Sequence, residues 1–162
     1  MPAGHQEDDN SKSAEELLRE LAVLNHNDEA ISIDWLAQML GDVGGCICRD
    51  GVQQKRKHPI SKWTAEDIKS WAKHLRQQRQ AHELAELLAV ACHACKLVHG
   101  YYSREAQLLI SILLMLSPSK AGRRGHLQQI ATCEGKTAIV ALFVVVKALR
   151  DGVKIDVETS RL

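Results

Sequence analysis

The residues of this chain whose types and spacing could do chemistry lie towards its end. Thr132-Cys133-Glu134-Gly135-Lys136-Thr137 follows the stretch Leu127-Gln128-Gln129-Ile130-Ala131 and precedes a long apolar run. A loop that closes on Gly-Lys-Thr between a strand and a helix aims backbone amides into one concavity. It does so at the positive end of the helix macrodipole, which makes an anion site. In that setting Lys136 adds a point charge for β- and γ-phosphates, and the Thr137 hydroxyl is a natural Mg2+ ligand. Gly135 lets the main chain come close to the phosphate and take a conformation that a Cβ would obstruct. The strict phosphate-loop pattern wants glycine at position 130, where Ile130 stands. Only the Thr-x-x-Gly-Lys-Thr core of the helicase-like variant is therefore met. The bland alternative is a chance Gly-Lys-Thr in an ordinary connection between strand and helix.

The elements that must position this loop follow from periodicity and punctuation. From Leu127 the grammar is strand, loop, helix, turn, strand. The helix is expected over Thr137 to Arg150 although Val140, Val144, Val145 and Val146 locally favour strand. Asp151-Gly152 turns the chain, and Val153, Ile155 and Val157 alternate with Lys154, Asp156 and Glu158 as a strand does. Upstream the pattern is helical. Ser13 and Glu16 form a capping box for a helix whose Leu17, Leu18, Leu21 and Leu24 share a face, and Asn25 to Asp28 breaks it. A short helix over Asp34 to Leu40 is expected to bury Trp35, Leu36 and Met39, and the glycine-rich stretch from Gly41 to Pro59 reads as loop.

Thr64, with Asp67 three residues on, caps a helix with Ile68, Trp71, Ala72 and Leu75 inside and Lys69, Lys73 and Arg76 outside. Another helix runs from Glu83 to His99 and ends at Gly100. A further one spans Arg104 to Leu116, is stopped by Ser117-Pro118, and is followed by a small basic linker from Ser119 to Gly125. The organisation expected is a disordered tail at 1–12, a helical region at 13–100 and a partial nucleotide-binding unit at 101–162. The fold class is α/β, mostly α: a helical N-terminal region followed by an incomplete strand-loop-helix-strand phosphate-loop unit.

Composition sets outer bounds. The 162 residues are 45% hydrophobic and 25% charged, with a formal charge of +1, ordinary for a globular chain. No polyelectrolyte signature points to nucleic acid, and Lys55-Arg56-Lys57 reads as a solvated loop. Three Trp, one Phe and two Tyr make no stacking platform for bases, so the tryptophans read as core filling. The apolar runs Leu108 to Leu116 and Ala138 to Val146 are too short to span a bilayer. Five cysteines, with no signal peptide before them, imply free thiols in a reducing, cytoplasmic setting. Cys92, Cys95 and His99 share one helical face, which is a metal-ligand set by type. Zinc sites usually draw such a pair from a turn, and small buried thiols packing in a helical core fit the flanking Leu87, Leu88, Val90, Leu97 and Val98 better.

Three segments together resemble the start of the nucleotide-binding domain of SecA, the motor ATPase of protein translocation. Arg104-Glu105-Ala106-Gln107-Leu108-Leu109 is similar to the family's segment ending in Asp-Val-Gln-Leu-Leu. Gln129 to Thr137 resembles its Thr-Gly-Glu-Gly-Lys-Thr loop and lead-in strand. Gly152 to Ser160 resembles the next strand and loop entry. Trp63, Asp67, Ile68 and Trp71 are similar to a helical lead-in of divergent eukaryotic members.

The resemblance implies ATP and Mg2+ as ligands. It gives Gln107 to the adenine edge, the loop Thr132, Cys133, Glu134, Gly135, Lys136 and Thr137 to the phosphates, and Thr137 to Mg2+. It also implies a polypeptide substrate or translocation machinery as partners, with room for peripheral membrane association. Two departures stand out. Cys133 occupies a glycine position of the family, where a left-handed backbone would cost about 1–2 kcal/mol. No acidic Asp-Glu-x-Asp segment or second motor domain follows, and phosphoryl transfer rests on such groups. The expectation is an ATP-binding segment of a SecA-like translocation ATPase without its hydrolytic half, inactive alone. The alternative is a helical protein-interaction module with a degenerate, non-binding loop.

Overall fold

A computed structural model describes residues 12–24, 32–48, 58–78, 83–116 and 135–157. Among these the regular structure is helical: α1 (Ala14–Leu24), α2 (Ile33–Cys48), a 3-10 turn (Ile60–Lys62), α3 (Ala65–Gln78), α4 (Leu84–His99), α5 (Glu105–Leu116) and α6 (Lys136–Asp151). Several expectations fall on other residues: the tail, the Asn25–Asp28 break, the basic knot at 55–57, the stop at Ser117-Pro118, the 119–125 linker and the 127–131 strand. Those stretches, like the loop residues Thr132, Cys133 and Glu134, lie outside the described residues.

Local chemistry explains most helix starts. The Ser13 Oγ accepts from the Glu16 amide at 3.3 Å while a Glu16 carboxylate oxygen accepts from the Ser13 amide at 3.0 Å. This reciprocal pair is a complete capping box for α1. Thr64 and Asp67 repeat the device at α3, with the Asp67 amide on Thr64 Oγ1 at 3.3 Å and the Thr64 amide on Asp67 Oδ2 at 2.8 Å. The Thr64 hydroxyl and amide, both donating to Asp67, hold its carboxyl below the usual carboxylate range. Gly100 ends α4 in the left-handed region at φ 84°, its amide on the Lys96 carbonyl at 2.8 Å.

The core is organised around α4. Residues Ala85 to His93 are buried without interruption, so this helix is covered on every side over more than two turns. A helix that is apolar all round belongs inside. It packs against α2, α3, α6 and the 3-10 turn, and α5 lies along α6. One cluster joins Leu36 and Val43 of α2, Leu87 and Leu88 of α4, Leu109 and Ile112 of α5, and Leu142 and Val146 of α6.

Three expectations need correction. The helix expected to stop at Leu40 continues to Cys48 through Gly41, Gly44 and Gly45. Glycine in a helix costs roughly 0.5–1 kcal/mol each, but Val43 is fully buried and Met39, Leu40, Cys46 and Ile47 pack beside it. Tertiary packing outweighs local propensity here. Trp35, expected inside, is exposed, whereas Trp63 and Trp71 pack on the core with ring centroids 6.3 Å apart. Val153 to Val157, expected as a strand, has no regular structure. A strand exists only through a ladder partner, and none is present among the described residues.

Candidate functional site

The valine-rich run after the loop is a helix of 16 residues, one residue longer at each end than expected. Its stripe of Ile139, Leu142 and Val146 is fully buried, which overrides the strand preference of its β-branched residues. The turn signal at Asp151-Gly152 is realised by Gly152 at φ 65°.

Gly135 is the N-cap of α6 and sits in the left-handed region at φ 68°, ψ 46°. Its carbonyl accepts from Ala138 and Ile139 at 2.9 and 3.2 Å. As a glycine, this N-cap residue has no side chain with which to cap the helix. The amides of Lys136 and Thr137, in the first turn, have no intrahelical acceptor. Both side chains are exposed. The helix thus presents amides, a cation and a hydroxyl together at its positive end, a set that suits a phosphate.

The second site residue comes from α5. Gln107 is buried, and a Cβ built on Gly135 would stand 2.3 Å from its Nε2. The Gln107 side chain therefore lies directly against the loop glycine, two residues separated by 28 positions in the chain. Its Oε1 accepts from the Arg104 amide at 3.1 Å. Gln107 is the third helical residue and Arg104 the N-cap, so this is the returning half of a capping box. Its carbonyl accepts from Ser111 Oγ at 2.8 Å. The amide group is thus fixed in place at the glycine. Of the residues expected at the site, the structure brings together Gln107, Gly135, Lys136 and Thr137.

The start of α5 is itself anchored through a link that the sequence did not advertise. His93 is buried in α4, with Nε2 2.8 Å from the Trp63 carbonyl and Nδ1 3.3 Å from the Tyr102 hydroxyl. A carbonyl only accepts, so Nε2 carries a hydrogen. The Lys96 Nζ lies 4.4 Å over the Tyr102 ring. Tyr102 in turn stands two residues before the α5 N-cap. The only sequence signal was a histidine directly after the apolar run from Leu87 to Cys92. A second, partly buried polar contact, from Trp71 Nε1 to Glu86 Oε1 at 3.1 Å, joins α3 to α4.

The cysteine face is less promising for metal. Burial pushes the Cys92 thiol up to about 12, with the neighbouring Cys95 adding to it, and burial also raises Cys95. His99 is exposed and stacks on Tyr101 at 5.9 Å. Among the described residues no three His, Cys, Asp or Glu side chains form a metal-holding group. The four described cysteines are free thiols. Among the described residues at the α6 start, Thr137 Oγ1 is a side-chain oxygen of the type that ligates Mg2+.

Compared with known protein families, residues 48–159 match the SecA DEAD-like domain. The chain belongs to the SecA DEAD-like domain family. The match covers α3 to α6 and so includes the helical lead-in as well as the loop. No curated protein and no solved structure matches the chain. Among the described residues of this SecA-like chain, no helix is long and apolar enough to cross a membrane.

Proposed function

We propose that this chain is the nucleotide-binding segment of a SecA-like protein-translocation ATPase, with ATP and Mg2+ as its ligands. In this reading residues 13–100 form a helical frame and 101–162 the nucleotide-binding part, entered by a strand before the loop. The amides of residues 132–137 hold the phosphate tail, Lys136 neutralises its charge, Thr137 ligates Mg2+ and Gln107 meets the adenine edge. The bound Mg·ATP would supply the electrophilic phosphorus, while the chain's own residues bind and orient the tail. The family suggests a polypeptide substrate and translocation machinery as partners; the free cysteines support a cytoplasmic setting, and the Trp63 to Trp71 segment supports kinship with divergent eukaryotic members.

The observation that carries this reading is Gly135: left-handed, at the start of a helix whose inner stripe is buried, with the Gln107 side chain against it. A chance Gly-Lys-Thr has no reason to bring a distant glutamine to that glycine. Isothermal titration of the full chain with Mg·ATP and Mg·ADP tests it. Saturable binding is expected, weakened at least tenfold, about 1.4 kcal/mol, by Lys136→Ala. Silence at millimolar nucleotide that Cys133→Gly reverses assigns the loss to the thiol. Silence in both proteins overturns the reading and leaves a helical interaction module.

A further inference from the structure

A groove opens on the opposite half of α6 from the phosphate loop. Its walls are α3, with Trp71 and Leu75, and the C-terminal half of α6, with Val145 and Leu149. Its floor is the small-residue face of α4 at Ala91 and Ala94. The cavity volume is about 1080 Å3. A helix about 10–12 Å across fills about 500 Å3 per turn, so the groove accepts about two turns.

The rim is cationic. Arg76 stands on the α3 side, and Arg150 and Lys154 stand on the α6 side. Asp151 is the one carboxylate among the described lining residues; it is engaged by Lys147 and lies 3.9 Å from Arg150. Lys154 has Asp156 at 3.7 Å, but both are about 90% exposed, and such pairs hold little. The floor is therefore apolar and the rim carries net positive charge.

We propose that this groove docks a short amphipathic helix with an aliphatic inner face and carboxylates along its edges. Helix-in-groove recognition places apolar anchors at i, i+3, i+4 and i+7, and edge charges select the partner. The three rim cations repel the same helix when it carries lysines. The site is separate from the nucleotide reading and stands or falls without it.

The test uses the full chain and two dye-labelled peptides of about 12 residues with one leucine face, flanked by glutamates in one and lysines in the other. Fluorescence anisotropy at low salt is expected to show the acidic peptide binding at least tenfold tighter. That preference shrinks at 1 M salt, where the screening length falls to about 3 Å. Arg76→Glu with Lys154→Glu, both at exposed positions, reverses the preference and leaves the circular-dichroism melting curve in place. Val145→Glu, at a position 46% exposed, abolishes binding of either peptide. Equal binding of the two peptides overturns the proposal, as does a preference that survives the charge reversal. A chain that sediments as a dimer, and as a monomer once Val145→Glu is introduced, also overturns it, because a second copy then covers the face.

Discussion

Replacing Gly135 by alanine tests the contact on which the proposed nucleotide site rests. Alanine in the left-handed region costs about 1–2 kcal/mol, and Gly135 sits there at φ 68°. The new methyl would also stand 2.3 Å from Gln107 Nε2, a separation real Cβ atoms essentially never show. Gln107 is buried and its Oε1 holds the Arg104 amide, so moving it sacrifices a hydrogen bond worth about 0.5–1.5 kcal/mol. The expected cost of Gly135→Ala is therefore about 1.5–3.5 kcal/mol, read from urea denaturation followed at 222 nm. The two parts separate in a double-mutant cycle. In a Gln107→Ala background the steric part vanishes and only the backbone strain, about 1–2 kcal/mol, is left. A change within 0.5 kcal/mol for the single variant would refute the backbone assignment. An undiminished cost in the Gln107→Ala background would refute the contact.

Further consequences are as direct. Alkylation at pH 8 with mass-spectrometric mapping should modify exposed Cys48 well before buried Cys92, whose thiol is held up to about 12 by burial; early labelling of Cys92 would contradict its placement. Because that folded value lies above the unfolded one, its stabilising effect is complete below about pH 9 and is lost as the pH climbs towards 12; Cys92→Ala should flatten that alkaline part of the stability curve. Leu88→Ala, at a fully buried position, should cost about 2–5 kcal/mol, while Val98→Ala, at 76% exposure, should stay within about 0.5 kcal/mol. Thr64→Ala removes the α3 cap and should cost about 1 kcal/mol in thermal denaturation. Nitrogen-15 spectra should show His93 carrying its hydrogen on Nε2.

Much of this protein was legible from its residues alone. Capping boxes at Ser13–Glu16 and Thr64–Asp67, and the stop at Gly100, are interactions over three or four positions, so the chain advertises them locally. The likeness carried by Arg104–Leu109 and by Gly135-Lys136-Thr137 was similarly readable, and the family match extends it over residues 48–159. Other features depend on partners far away in sequence. Gly41, Gly44 and Gly45 look like a loop until Val43 finds its place in the core. The valines of α6 look like a strand until Ile139, Leu142 and Val146 are buried together. His93 gains its role only from Trp63 and Tyr102, and Gln107 meets Gly135 only because α5 lies along α6. Caps and motifs are short-range, and a sequence specifies them by itself. Burial and long-range contact are decided among whole elements at once, and only the assembled helices settle them.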